Sequence, residues 1–161
     1  MRSGSETDVR EGLQAILDDL VPGQFLCRTR KNEGRSVIGK PVDIEIRMRG
    51  ASGFDRVVVA VEVANVNTTQ LVGETCRLYY DTCPTKLLVL GDRNIPPGGK
   101  EQCEVLLARL YGQNDIMDTP ARVVTYADDS GTAAALRDLL MIASAPAQDA
   151  ASVMETEIRE P

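Results

Sequence analysis

A chain of 161 residues, 43% hydrophobic and 26% charged, is long enough to bury one core without disulfide or metal staples. No apolar run reaches the ~18 residues of a membrane span, and the opening MRSGSETDVREG lacks the apolar stretch of a secretory signal, so a soluble cytoplasmic protein is expected. The complete absence of histidine removes Ser-His and Cys-His catalysis and imidazole-held metals, leaving carboxylates, Lys/Arg, hydroxyls, thiols and backbone groups to do any chemistry.

The elements follow in chain order. Ser5 caps a first helix, with Asp8 three residues on; Val9, Leu13, Ile16, Leu17 and Leu20 share one face, and Pro22-Gly23 ends it. Val37 and Ile38 suggest a short first strand. Val42 to Arg49 alternates apolar residues with Asp43, Glu45, Arg47 and Arg49, the pattern of a half-buried strand with a charged outer face. Gly50-Ala51-Ser52-Gly53 supplies a turn. Arg56 to Ala64, RVVVAVEVA, is a nearly continuous β-branched run and so a central strand covered on both faces.

Asn67 and Gln70 form the capping box of a second helix, with Leu71, Val72, Cys76, Leu78 and Tyr79 as its apolar stripe. A strand at Lys86–Leu90 follows Pro84. After a Gly91–Gly99 loop come a third helix at about Glu101–Tyr111, a strand at about Ala121–Tyr126 and a last helix at about Thr132–Ile142. The residues from 146 are rich in Ala, Glu and Asp without periodicity and are expected to be a disordered acidic tail after a single domain spanning 1–145. The order α-β-β-β-α-β-α-β-α predicts an α/β domain with a mixed sheet: a meander first, then parallel strands joined through helices.

Cys27, Cys76, Cys83 and Cys103 contain no CxxC pair, so buried reduced thiols are expected rather than a zinc ribbon. The net charge of −6 conceals a local reversal. Between Arg28 and Arg49 lie seven basic residues, Arg28, Arg30, Lys31, Arg35, Lys40, Arg47 and Arg49, against Glu33, Asp43 and Glu45. Local basic patches attract phosphates whatever the total, so Arg28, Arg30, Lys31, Arg35, Lys40 and Arg47 are candidate nucleic-acid contacts. A solvated hairpin without a partner is the plainer reading.

Glu62 interrupts the buried run. A carboxylate there costs free energy unless it is paired, hydrogen-bonded or bound to a cation. Asp43, nineteen residues earlier on the adjacent predicted strand, comes to the same side if the two strands pair around the Gly50–Asp55 turn. Two such carboxylates with a backbone carbonyl make a hard-oxygen site suited to Mg²⁺ or Mn²⁺. The alternative is cross-strand ion pairing of Asp43 and Glu45 with Arg47, Arg49 or Arg56, and for Glu62 a satisfied structural acid.

Lys40-Pro41-Val42-Asp43-Ile44-Glu45-Ile46, followed by Val59-Ala60-Val61-Glu62-Val63-Ala64 and then by a helix and KLLVL, resembles the PD-(D/E)xK restriction-endonuclease-like superfamily. The resemblance covers residues 6 to 91 and rests on element order more than on a strict motif. It implies a metal-dependent nuclease acting on DNA, with Asp43 and Glu62 as metal ligands and Glu45 assisting. One residue is inserted in Pro41-Val42-Asp43, and the family lysine, two residues after the acid, is here Ala64. Lys86 and Lys40 are the candidate replacements; Arg47 is a poor proton-transfer group. Asn65 could orient a water, Glu11 could join from the first helix, and Gln70 matches a glutamine of some branches, though it also serves as a helix cap.

A Toprim-like site, Glu62 with Asp92-Arg93-Asn94, is a weaker enzyme reading, since Asn94 stands where the second aspartate belongs. No strand is followed by GxGxxG, which argues against a Rossmann site. The competitors from other classes are a catalytically inactive nuclease-fold module for DNA binding or assembly, and a plain interaction domain. Cleavage of two DNA strands implies a homodimer or a larger assembly.

Overall fold

The computed structural model describes residues 5–30, 42–65, 68–91 and 95–144. Its elements are α1 (Glu6–Leu20), β1 (Phe25–Thr29), β2 (Ile44–Gly50), β3 (Gly53–Ala64), α2 (Thr68–Tyr79), β4 (Lys86–Leu90), α3 (Gly99–Leu110), a 3₁₀ turn (Ile116–Asp118), β5 (Ala121–Thr125) and α4 (Asp129–Ser144). The five strands form one sheet in the order β1-β2-β3-β4-β5. β1, β2 and β3 pair antiparallel, while β4 and β5 run parallel to β3. This is the mixed sheet flanked by helices that the element order predicts.

β3 sets the layers. Val59 and Val61 belong to the core under α1 and α4, whereas Ala60 and Ala64 belong to the core under α2 and α3. The alternation is that of a strand covered on both faces. The small residues on the second face let α2 pack close over β3. On α1, Val9, Leu13 and Leu17 are buried and Ser5 accepts a hydrogen bond from the Asp8 amide at 3.3 Å, as the spacing predicts. The β2–β3 turn closes over Ala51-Ser52, with Gly53 at φ 101°, a conformation that L side chains rarely adopt.

Three expectations are corrected or displaced. The first strand is Phe25–Thr29, an edge strand; Val37 and Ile38 lie outside the described residues, as do the Asn67 cap and residues 145–161. Val72, placed in the apolar stripe of α2, is 49% exposed, and Thr75 is buried instead beside Leu71 and Leu78. α4 starts at Asp129, three residues before Thr132, because the Asp128 carboxylate accepts from the Gly131 amide at 3.0 Å. All four cysteines are free, with Cys27, Cys83 and Cys103 buried and Cys76 half-buried. No helix among the described residues is long and apolar enough to cross a membrane.

Leu17 has no exposed surface and anchors α1 against the sheet. Leu17→Ala should cost about 2–5 kcal/mol, the range for truncating a buried leucine. Met141→Ala, at a residue 70% exposed, should change the unfolding free energy measured by urea titration by less than about 0.5 kcal/mol. Equal effects would show that α1 is not part of the cooperative core.

Candidate functional site

β2 and β3 bring the two predicted carboxylates together. Ile44 is paired with Val61, so one further step along the antiparallel register sets Asp43 across from Glu62. The Val63 amide donates to Asp43 Oδ2 at 3.0 Å, fixing the aspartate against the end of β3. Glu62 is fully buried. The two acids share a cleft of ≈ 350 Å³ lined by Glu6, Asp43, Glu62, Val63, Asn65, Glu74 and Arg77.

Three of those residues were not assigned to the site from sequence. Glu6 comes from the first turn of α1 and Glu74 and Arg77 from α2. Glu11, which could equally join the site or lie on the surface, faces solvent next to Arg10. The phase of the helix decides this: Glu6 lies three residues before Val9 and so shares its inward side, while Glu11 does not. Glu74 and Arg77 are an i,i+3 pair on one face of α2, at 3.8 Å. Arg77 donates to Glu62 Oε1. Asn65 lies in the cleft as expected, and Gly91 makes room for it, since a Cβ there would overlap the Asn65 amide. Gln70 is exposed on α2 and does not line the cleft.

The cleft holds four carboxylates and one guanidinium. Burial pushes the Glu62 carboxyl up to about 8; Asp43 opposite it pushes the same way, and Arg77 pulls only partly back. Burial and Asp43 also raise Glu6, against a hydrogen bond from Thr29. Burial raises Glu74 with help from Asp43, while Arg77 opposes. Burial disfavours the charge on Arg77, but Glu62, Glu74 and Asp43 outweigh it and hold the guanidinium above its ordinary pKa. Glu62 Oε2 and Glu74 Oε2 are buried without a hydrogen-bond partner. The cleft is therefore short of positive charge and of donors.

The remaining candidates lie elsewhere. Glu45, buried two residues along β2, is enclosed by Arg47 at 2.6 Å and by Arg28 and Arg30, each at 3.2 Å. Arg30 also reaches Asp81 at 2.6 Å. These three arginines are thus partly neutralised by one buried acid, and Glu45 does not line the cleft. Lys31, Arg35 and Lys40 lie outside the described residues, as do Asp92 and Asn94. Lys86 does not reach the pair. It enters β4 opposite Ala60, two residues short of Glu62, and its ammonium stands 5.8 Å from the ring centres of both Tyr79 and Tyr111. Burial lowers its pKa, against Asp81 and Cys83. Ala64, at the motif lysine position, is fully buried in the core beneath α2 and α3.

Among the described residues, no three or more Asp, Glu, Cys or His side chains converge closely enough to hold a metal ion. Mg²⁺ does not require three, since it commonly keeps several waters and takes one or two carboxylates from the protein. The partnerless, buried Glu62 oxygen facing an acid-rich cleft fits that donor set. No protein-family model matches the chain, and no curated protein is significantly similar to it.

The raised Glu62 pKa gives a signed prediction. A carboxyl that holds its proton more tightly in the native state stabilises the fold at low pH, and that contribution is lost as pH rises from about 4.5 towards about 8. Glu62→Gln removes the ionisation and keeps an acceptor for Arg77. Between pH 5 and pH 8 the wild type should lose roughly 2 kcal/mol or more relative to the variant in urea unfolding. A difference independent of pH would show that Glu62 is ionised throughout.

Proposed function

We propose that this chain is a restriction-endonuclease-like domain that holds Mg²⁺ or Mn²⁺ at Asp43 and Glu62 and acts on DNA phosphodiesters. The observation that carries the reading is Glu62: a fully buried carboxylate across from Asp43, with one oxygen lacking any partner, in a cleft of four acids and one cation. Burying such a group is costly unless a cation or a proton compensates it. A bound divalent ion would activate a water and offset charge developing on the phosphate. Asp43, with Oδ2 fixed by the Val63 amide, and Glu62 would hold it, and Asn65 would orient a water at the rim.

Arg28 on β1, Arg30 just beyond it and Arg47 on β2 surround Glu45, two residues from Asp43. Together with Lys31, Arg35 and Lys40 they would attract the backbone phosphates, and Glu45 would keep the first three in register instead of ligating metal. Cleaving both strands would then require a homodimer or a larger assembly.

One observation favours the second reading, a catalytically inactive module of the same fold. Among the described residues no lysine reaches the Asp43–Glu62 pair, and the cation that does is an arginine, which stays charged and cannot shuttle a proton. Such a module would bind metal and DNA without cutting.

The two readings separate in one assay: radiolabelled single- and double-stranded DNA with Mg²⁺ or Mn²⁺, wild type against Asp43→Ala and Glu62→Ala. Cleavage reduced by roughly 10²-fold or more in both variants, the scale of losing a key catalytic contact, supports the nuclease. Salt-dependent DNA binding without cleavage supports the module. Neither cleavage nor salt-dependent binding would leave a plain interaction domain.

A further inference from the structure

The cation already in the cleft has a role of its own. Arg77 contacts Glu62 through one N–H and approaches Glu74 only at 3.8 Å. Its Nε is buried without an acceptor. A guanidinium has five donors and is held best by a two-pronged contact with one carboxylate, which Arg77 does not make. Its stem is rooted in α2 and its side chain is 26% exposed, whereas the Glu62 side chain has no exposed surface. The acid is fixed in the strand, and the cation has a way out.

A divalent ion on the second oxygen of Glu62 would stand within a few ångströms of the guanidinium on the first. At that separation and at the effective dielectric of a partly buried site, like charges repel by several kcal/mol per pair of unit charges, or more than a hundredfold in affinity before relaxation. Coexistence in one carboxylate's grip is therefore unfavourable, and exchange relieves it. Glu74, on the same helix face with a partnerless oxygen, offers the displaced guanidinium a place to go.

We propose that Arg77 is the cleft's resident counter-ion, and that a divalent metal ion binds by displacing it from Glu62. This rests on the metal-site reading above. The arginine thereby sets the metal concentration at which the cleft fills: it keeps Glu62 compensated when metal is scarce and lowers the apparent affinity.

Titration calorimetry with Mn²⁺ at pH 8 and low ionic strength tests this on the full chain. Arg77→Met should bind Mn²⁺ about tenfold or more tightly than the wild type, and Asp43→Ala should abolish binding in both backgrounds. Equal or weaker binding by Arg77→Met, with the wild type binding, overturns the displacement while leaving the metal site standing. No binding by either protein removes the metal site and this inference with it. Should Arg77→Met not fold, the wild type still decides through the Arg77 Nε–H signal in nitrogen-15 NMR. A shift and loss of exchange protection saturating with Mg²⁺ supports displacement, and an unmoved signal while Mg²⁺ raises the Tm overturns it.

Discussion

Everything at the functional end of this protein depends on one buried carboxylate. Glu62 occupies the face of β3 on which its neighbours, Ala60 and Ala64, are small and fully buried. A valine there would complete an ordinary core strand. The acid instead requires compensation, and among the described residues the structure supplies it from one direction, Arg77 on α2, while Asp43 across from it adds charge of the same sign. Arg77 alone does not balance the cleft, because Asp43, Glu6 and Glu74 crowd the same space. The electrostatics of the cleft therefore favour a proton on Glu62.

A second ionic cluster lies two residues along the same face of β2 and follows a different logic. Glu45 is also buried, but it is met by three arginines, one of which extends to Asp81. Here three guanidiniums meet two carboxylates. One strand thus carries, at alternate positions, an acid in a cleft short of positive charge and an acid enclosed by surplus positive charge. That juxtaposition, more than either cluster alone, gives the proposed function its physical content.

The parts of this arrangement that are local in sequence were legible there. Alternation from Val42 to Arg49 and the β-branched run ending at Ala64 gave two neighbouring strands, and antiparallel pairing around a Gly50–Asp55 turn sets Asp43 opposite Glu62. The turn itself is tighter, pairing Gly50 with Gly53, and register shifts at Met48/Gly50 and Ile46/Arg47 restore that alignment. The cap at Ser5 and the inward stripe of α1 also follow from spacing. β1 is not legible because a five-residue edge strand with Leu26 partly exposed carries little pattern.

What sequence could not place were the contributions from helices packed over the strand end. Glu6 and Glu11 are both acids on α1, and only their phase relative to the buried Val9 distinguishes them. Arg77 is harder. It lies fifteen residues beyond Glu62, on a helix whose polar positions read as solvent-facing, and its contact depends on how closely α2 can approach β3. The small residues at Ala60 and Ala64 permit that approach. Ala64 therefore has a structural consequence: as a small residue in the core beneath α2, it lets the helix carrying the guanidinium settle over the strand.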